Sequence, residues 1–240
     1  MKKIIYVIIC STVLFSSCES TQQILNSIGQ PGSTTGGLSN ADIVAGLKEA
    51  LSVGAQNSAN QLSSLDGFFK NAAIKILLPE EAQKVESTLR NIGLGSLVDK
   101  AILSVNRAAE DAASSAAPIF INAVKTMSIQ DALGILKGGD FAATNYLKSK
   151  TTTPLTEAFR PIIEQSLSKV GATKYWGDVF NAYNKVAANK INPDLSAYVT
   201  GKALDGIFYE VSLEEQKIRK DPVARTTEIL KKVFGSKEAG

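Results

Sequence analysis

The sequence predicts an all-α fold, a single compact multi-helix domain of about nine helices behind a flexible N-terminal tether. Three observations lead there. Cap residues and prolines punctuate the chain at helical intervals, apolar residues recur three and four apart between them, and only 7% of the chain is aromatic. With 44% hydrophobic and 20% charged residues, the composition is that of a globular chain rather than a disordered one.

The first segment reads as an address. Lys2 and Lys3 precede an apolar run from Ile4 to Phe15, then Ser16, Ser17 and Cys18, the layout of an exported protein's signal. The run is shorter than the roughly 20 apolar residues of a membrane span. Leu14-Phe15-Ser16-Ser17-Cys18 resembles a bacterial lipobox, which implies residues 1–17 as a lipoprotein signal peptide and Cys18 as the lipidated new terminus. The departure is Phe15, where the common form has Leu. Lipidation also accounts for both cysteines, because Cys10 would leave with the signal and no internal disulfide can form. Residues 18–38 follow as lipidated Cys and linker, with Gln30-Pro31-Gly32 and Gly36-Gly37 supplying tether composition.

From residue 39 to 235 the punctuation is helical. Ser39 with Asp42 caps a helix carrying Ile43, Leu47 and Leu51. Pro79-Glu80-Glu81 opens a second helix and Gly93 closes it. Ser96 starts a long helix with Leu97, Ala101, Val105, Ala108 and Ala112 on one face, which Pro118 ends or kinks. Ser128 with Asp131 caps a short helix that stops at Gly138-Gly139, with Asp140 as the next N-cap. Thr153-Pro154, Asn192-Pro193 and Asp221-Pro222 each pair a cap residue with a first-turn proline. Tyr175, Trp176, Val179, Phe180 and Tyr183 mark a helix over 174–188. The only strand-like stretch, 73–78, is too short and solitary to build a sheet. Residues 236–240 form a tail.

Several of these motifs are familiar together. Leu65-Asp66-Gly67-Phe68, Ile74-Lys75-Ile76-Leu77-Leu78-Pro79, Asn106-Arg107-Ala108-Ala109-Glu110, Ile135-Leu136-Lys137-Gly138-Gly139, Leu204-Asp205-Gly206-Ile207-Phe208 and the run from Asp221 to Thr227 stand in this order. Over about residues 40–235 the chain resembles domain-of-unknown-function family 4197, bacterial envelope proteins of unknown activity. The resemblance implies a helical fold and export. It supplies no catalytic residue.

With no histidine, the chain has no Ser-His-Asp or Cys-His pair, no His general base and no His-ligated zinc. Gly138-Gly139-Asp140 lacks the spacing and Lys-Ser/Thr pair of a phosphate loop, and no calcium loop is present. No metal and no cofactor is expected. The polar positions that stand out are those that interrupt apolar stripes. Leu103, Asn106, Glu110, Ala113 and Ala117 run at 3-4-3-4 spacing, so Asn106 and Glu110 point inward with Arg107 beside them. Ile207, Val211, Glu214 and Ile218 place Glu214 in a second stripe, near Glu210 and Arg219. An inward carboxylate is either paired and structural or lines a ligand site. Glu110 and Glu214 together are the catalytic candidates of an alternative reading, acid/base hydrolysis of a cell-wall glycan. Tyr175, Trp176, Phe180 and Tyr183, with Phe68, Phe69, Phe120 and Phe159, are either plain core or the lining of a carrier pocket for a lipid or other apolar molecule.

The leading reading is a non-enzymatic binding or interaction module, lipid-anchored through Cys18. Its partners are the membrane and an unidentified protein or small ligand. Loss of the signal would remove two of the 26 basic residues, against 23 acidic, and that near-balance argues against nucleic acid. The late basic cluster of Lys217, Arg219, Lys220, Arg225, Lys231 and Lys232 reads as a solvated helix face. The residue after Cys18 is Glu rather than Asp, which favours the outer membrane facing the periplasm.

Overall fold

Helix α1 (Asn40–Ser63) starts as its capping box dictates: the Ser39 hydroxyl accepts from the Asp42 N–H at 3.1 Å, and Asp42 accepts in return from the Ser39 N–H. Such a cap contributes about 1 kcal/mol. The computed structural model describes residues 38–173, 176, 190 and 194–236. The signal and tether residues 1–37, the helix expected over 174–188 apart from Trp176, the Asn192-Pro193 cap and residues 237–240 lie outside the described residues.

After α1 the chain makes an irregular passage over 64–79 and a 3-10 turn at Glu80–Ala82. Helices α2 (Gln83–Asn91), α3 (Gly95–Ala113), α4 (Ala116–Lys125) and α5 (Ile129–Lys137) follow. Then come α6 (Ala142–Lys169), α7 (Leu195–Lys220), a 3-10 turn at Pro222–Ala224 and α8 (Glu228–Phe234). The described residues are all-α and contain no strand. No single helix among them is long and apolar enough to cross a membrane.

Helices α6 and α7 pack along each other, α3 packs on α6, and α1 lies against α3, α4, α5, α7 and α8. Phe68, Phe120 and Phe159 are fully buried between these layers, with Phe120 edge-on to Phe208 at 6.0 Å. Burial of each large side chain contributes about 1.5–3 kcal/mol. At the start of the molecule Gly46 admits α8 closely, since a Cβ there would stand 2.5 Å from Val233 Cγ2.

The expected cap at Thr153-Pro154 is corrected. Both Pro154 and Pro161 lie inside α6, which runs unbroken for 28 residues. The reason is tertiary. Leu147, Thr151, Leu155, Phe159, Ile163 and Leu167 form a buried stripe at strict four-residue spacing, while both prolines face solvent. Each interior proline costs about 3 kcal/mol, which a stripe of this size exceeds. Thr152 and Thr156 also return hydroxyl bonds to the carbonyls of Lys148 and Thr152.

Two smaller corrections concern α3 and α6. Helix α3 begins at Gly95 rather than Ser96, and Leu97 is 56% exposed, because the inward face passes through Val98, Ile102, Val105 and Ala109 instead. Asp140 does not cap α6; it pairs with Lys220 at 3.0 Å, and Phe141 occupies the N-cap without a side-chain bond. By contrast the Ser128–Asp131 capping box forms, Gly93 ends α2 with φ +84°, and Asp221 accepts from the Val223 N–H ahead of Pro222. Pro118 sits in the first turn of α4, after the break at Ser114 and Ser115.

Candidate functional site

The irregular passage 64–79 must satisfy its backbone groups without a helix or sheet. Its own turns satisfy several of them, such as Lys70 N–H on the Asp66 carbonyl and Lys75 N–H on the Asn71 carbonyl, and side chains of α3 take others. Glu110 Oε1 accepts from the N–H groups of Phe68 and Phe69, both at 3.1 Å, and Oε2 accepts from Arg107 at 2.5 Å. Arg107 also reaches Asp66 at 2.7 Å, and Lys70 reaches the same carboxylate at 2.8 Å. The Lys70 ammonium, then the Arg107 guanidinium, holds the Asp66 carboxyl below its ordinary value, and Glu110 chiefly holds Arg107 protonated. One turn earlier on α3, the buried Asn106 amide accepts from the Ile76 N–H and donates to the Ile76 carbonyl, both at 2.8 Å.

The turn held this way explains two of the motifs read in the sequence. Asp66 takes φ +69°, and a Cβ on Gly67 would meet the Gln61 carbonyl at 2.5 Å. The turn drives Phe68 into the core, where its ring lies over Gly206; a Cβ on Gly206 would stand 2.5 Å from Phe68 Cε1. The two Leu-Asp-Gly motifs thus meet as plug and seat.

Glu210 and Glu214 lie on α7 against α1. Glu210 is only 3% exposed, and its carboxylate accepts from Asn71 at 2.7 Å and Gln61 at 2.9 Å. Burial pushes its carboxyl above the ordinary value, more strongly than those amides pull it down. Glu214 is half-buried, accepts from Asn57 at 3.2 Å and pairs with Lys217. The expectation that Glu214 fills the inward stripe is corrected by one residue: Glu215 does.

Glu215, missed in the sequence, is 8% exposed and serves as the N-terminal cap of α6. It accepts from the N–H groups of Ala143 and Thr144 at 3.0 and 2.8 Å and from the Thr144 hydroxyl at 2.7 Å. Arg219, its partner one turn on, bonds it at 2.8 Å and also donates to the Ile135 carbonyl. The signal was available: Ile207, Val211 and Glu215 continue at four-residue spacing, and Arg219 stands four beyond Glu215. Arg219 and Arg225 also correct the reading of a wholly solvated basic face. Arg225 donates to the carbonyls of Ile218 and Arg219.

The polar candidates therefore form separate units rather than one centre. Asn106, Arg107 and Glu110 bind the 64–79 passage; Glu210 and Glu214 join α7 to α1; Arg219 belongs with Glu215. Phe68, Phe120 and Phe159 are core, and Trp176 stacks on Tyr198 at 6.0 Å. Tyr175, Phe180 and Tyr183 lie outside the described residues. Near Glu214, Glu215 and Arg219 a cavity of about 30 Å³ remains between α1, α5, α6, α7 and α8, room for one water molecule. Among the described residues no cluster of three or more Cys, Asp or Glu has metal-binding geometry.

An all-α domain with a filled core and carboxylates bonded to its own backbone is the class that fold and site define. The chain belongs to the family described as protein of unknown function DUF4197, whose sequence model matches residues 37–235. Neither curated proteins nor solved structures provide a match.

Proposed function

We propose that this protein is a lipid-anchored component of the bacterial envelope whose helical domain is a non-enzymatic binding or interaction module. In this reading Cys18 carries the lipid, residues 19–38 are the tether, and the domain faces the periplasm from the outer membrane. The basic, apolar and small-residue order of residues 2–18 supports the anchor. Two or more acyl chains hold a protein on a membrane where one does not.

The observation that carries the non-enzymatic part is the bonding of Glu110. A general acid or nucleophile needs a carboxylate free to meet substrate. Glu110 instead accepts two backbone N–H groups and an arginine. The other hydrolase candidate, Glu214, is engaged by Asn57 and Lys217. For the carrier reading, the cavity between the buried helices is about 30 Å³, far below the 300 Å³ or so of a small-molecule pocket, and the larger hollow of about 620 Å³ over Ile129, Leu133 and Lys137 is a shallow surface dish open to solvent.

Metabolic labelling with a clickable palmitate analogue tests the anchor. The full chain expressed in a bacterium is expected to take up label and to fractionate with outer membranes, while Cys18→Ala takes up none. Equal labelling of the two proteins, or an unmodified mature terminus elsewhere by mass spectrometry, would overturn the proposal.

A further inference from the structure

Glu210 differs from every other buried carboxylate described above. It sits at the junction of three segments: the last turns of α1 through Gln61, the 64–79 passage through Asn71, and α7 itself. Only neutral amides touch its oxygens. The charged groups that face it are both on α7, Glu214 one turn away and Lys217 beyond, and these oppose each other. From α1 it meets Gln61, with Asn57 beside Glu214; from the passage it meets Asn71.

We infer that Glu210 is a proton-responsive joint, at which proton uptake tightens the union of α1, the 64–79 passage and α7, and proton loss loosens it. The hydrogen bonding accommodates both forms. Asn71 is fixed in one orientation, because its Oδ1 accepts from the Ala73 N–H at 3.1 Å while its Nδ2 donates to Glu210. The Gln61 amide, by contrast, makes a single side-chain contact here, and it turns over at no cost in hydrogen bonds. A neutral Glu210 keeps the Asn71 bond on its carbonyl oxygen and donates its own O–H to the turned Gln61 oxygen. No partner is lost, and a buried charge is removed.

The sign follows from burial. A carboxyl whose folded-state value is raised favours the proton-bound form in the native protein. Its contribution to stability is complete below the ordinary carboxylate value and is lost as pH rises through the folded value. On the envelope location proposed above, the joint would report the acidity outside the cell; the joint itself does not depend on that location.

The test pairs Glu210→Gln with a direct titration. Glutamine copies the neutral form, with its Nε2 donating to the turned Gln61 oxygen, and it does not titrate. Thermal unfolding of the two full-length proteins is followed from about pH 3.5 to 8, so that the scan begins below the ordinary 4.5. The variant is expected to melt close to the wild type at the acid end and above it at the alkaline end. The gap should widen to several degrees as pH rises. Carboxyl ¹³C NMR of the wild type, assigned through the residue 210 amide, should show titration above the ordinary 4.5. Parallel melting curves across the range, or a carboxyl that titrates at or below 4.5, would overturn the joint. If the variant does not fold, the wild-type titration alone decides.

Discussion

Glu110 and Glu215 do the same work in two regions of the molecule. Each accepts two backbone N–H groups and one arginine, and each lies on the buried face of its helix. The surroundings differ. Arg107 beside Glu110 is 33% exposed and shares itself with Asp66, whereas Arg219 beside Glu215 is 10% exposed and pairs with no second carboxylate among the described residues. The lesson concerns what each removal leaves behind: at Glu110 an arginine with another partner and access to water, at Glu215 a cation stranded in the core.

The largest effect is therefore expected at Glu215. Glu215→Ala should cost about 3–5 kcal/mol in urea unfolding, because it strands Arg219 and uncaps α6. The double replacement Glu215→Leu with Arg219→Met should recover the part of that loss owed to the stranded cation, while the uncapped amides of Ala143 and Thr144 keep the rest. If the single and double variants are equally unstable, the stranded cation is not the cause. Glu110→Ala should cost less, about 2–3 kcal/mol, the penalty of two backbone donors left without an acceptor. A Glu110→Ala loss as large as that of Glu215→Ala would break the comparison.

Next in size is the seat for Phe68. Gly206→Ala places a methyl where the Phe68 ring lies and should cost about 1–3 kcal/mol by overpacking, read from the same unfolding curves. Smallest is Glu214→Gln, expected within about 0.5 kcal/mol because its partner Lys217 is 57% exposed and a glutamine still accepts from Asn57. A large loss there would mean that Glu214, not Glu215, is the structural carboxylate of α7.

How much of this was readable depended on whether the deciding contact was local. Ser39 with Asp42 and Ser128 with Asp131 were legible because a capping box closes within four residues. The inward placement of Asn106 and Glu110 was legible from spacing alone. Thr153-Pro154 misled because its local cost is overridden by a stripe whose partners are distant in sequence. Asp140 misled for the same reason: the cap of α6 comes from Glu215, 71 and 72 residues away from the amides it serves. Glu214 and Glu215 stand for a third difficulty. After Val211, steps of three and four both keep a residue near the inward face, and only packing decides between them.

Asn106 also shields a β-prone segment. The run Ile74-Lys75-Ile76-Leu77-Leu78 is short, apolar and β-prone, the sort of segment that pairs between chains when its backbone is bare. In this fold one amide takes both backbone groups of Ile76 as a neighbouring strand would, and the Tyr198 hydroxyl takes the carbonyl of Leu77 at 2.7 Å. Two helix side chains thereby stand in for a sheet. A β-prone segment is kept from pairing with a second copy of itself.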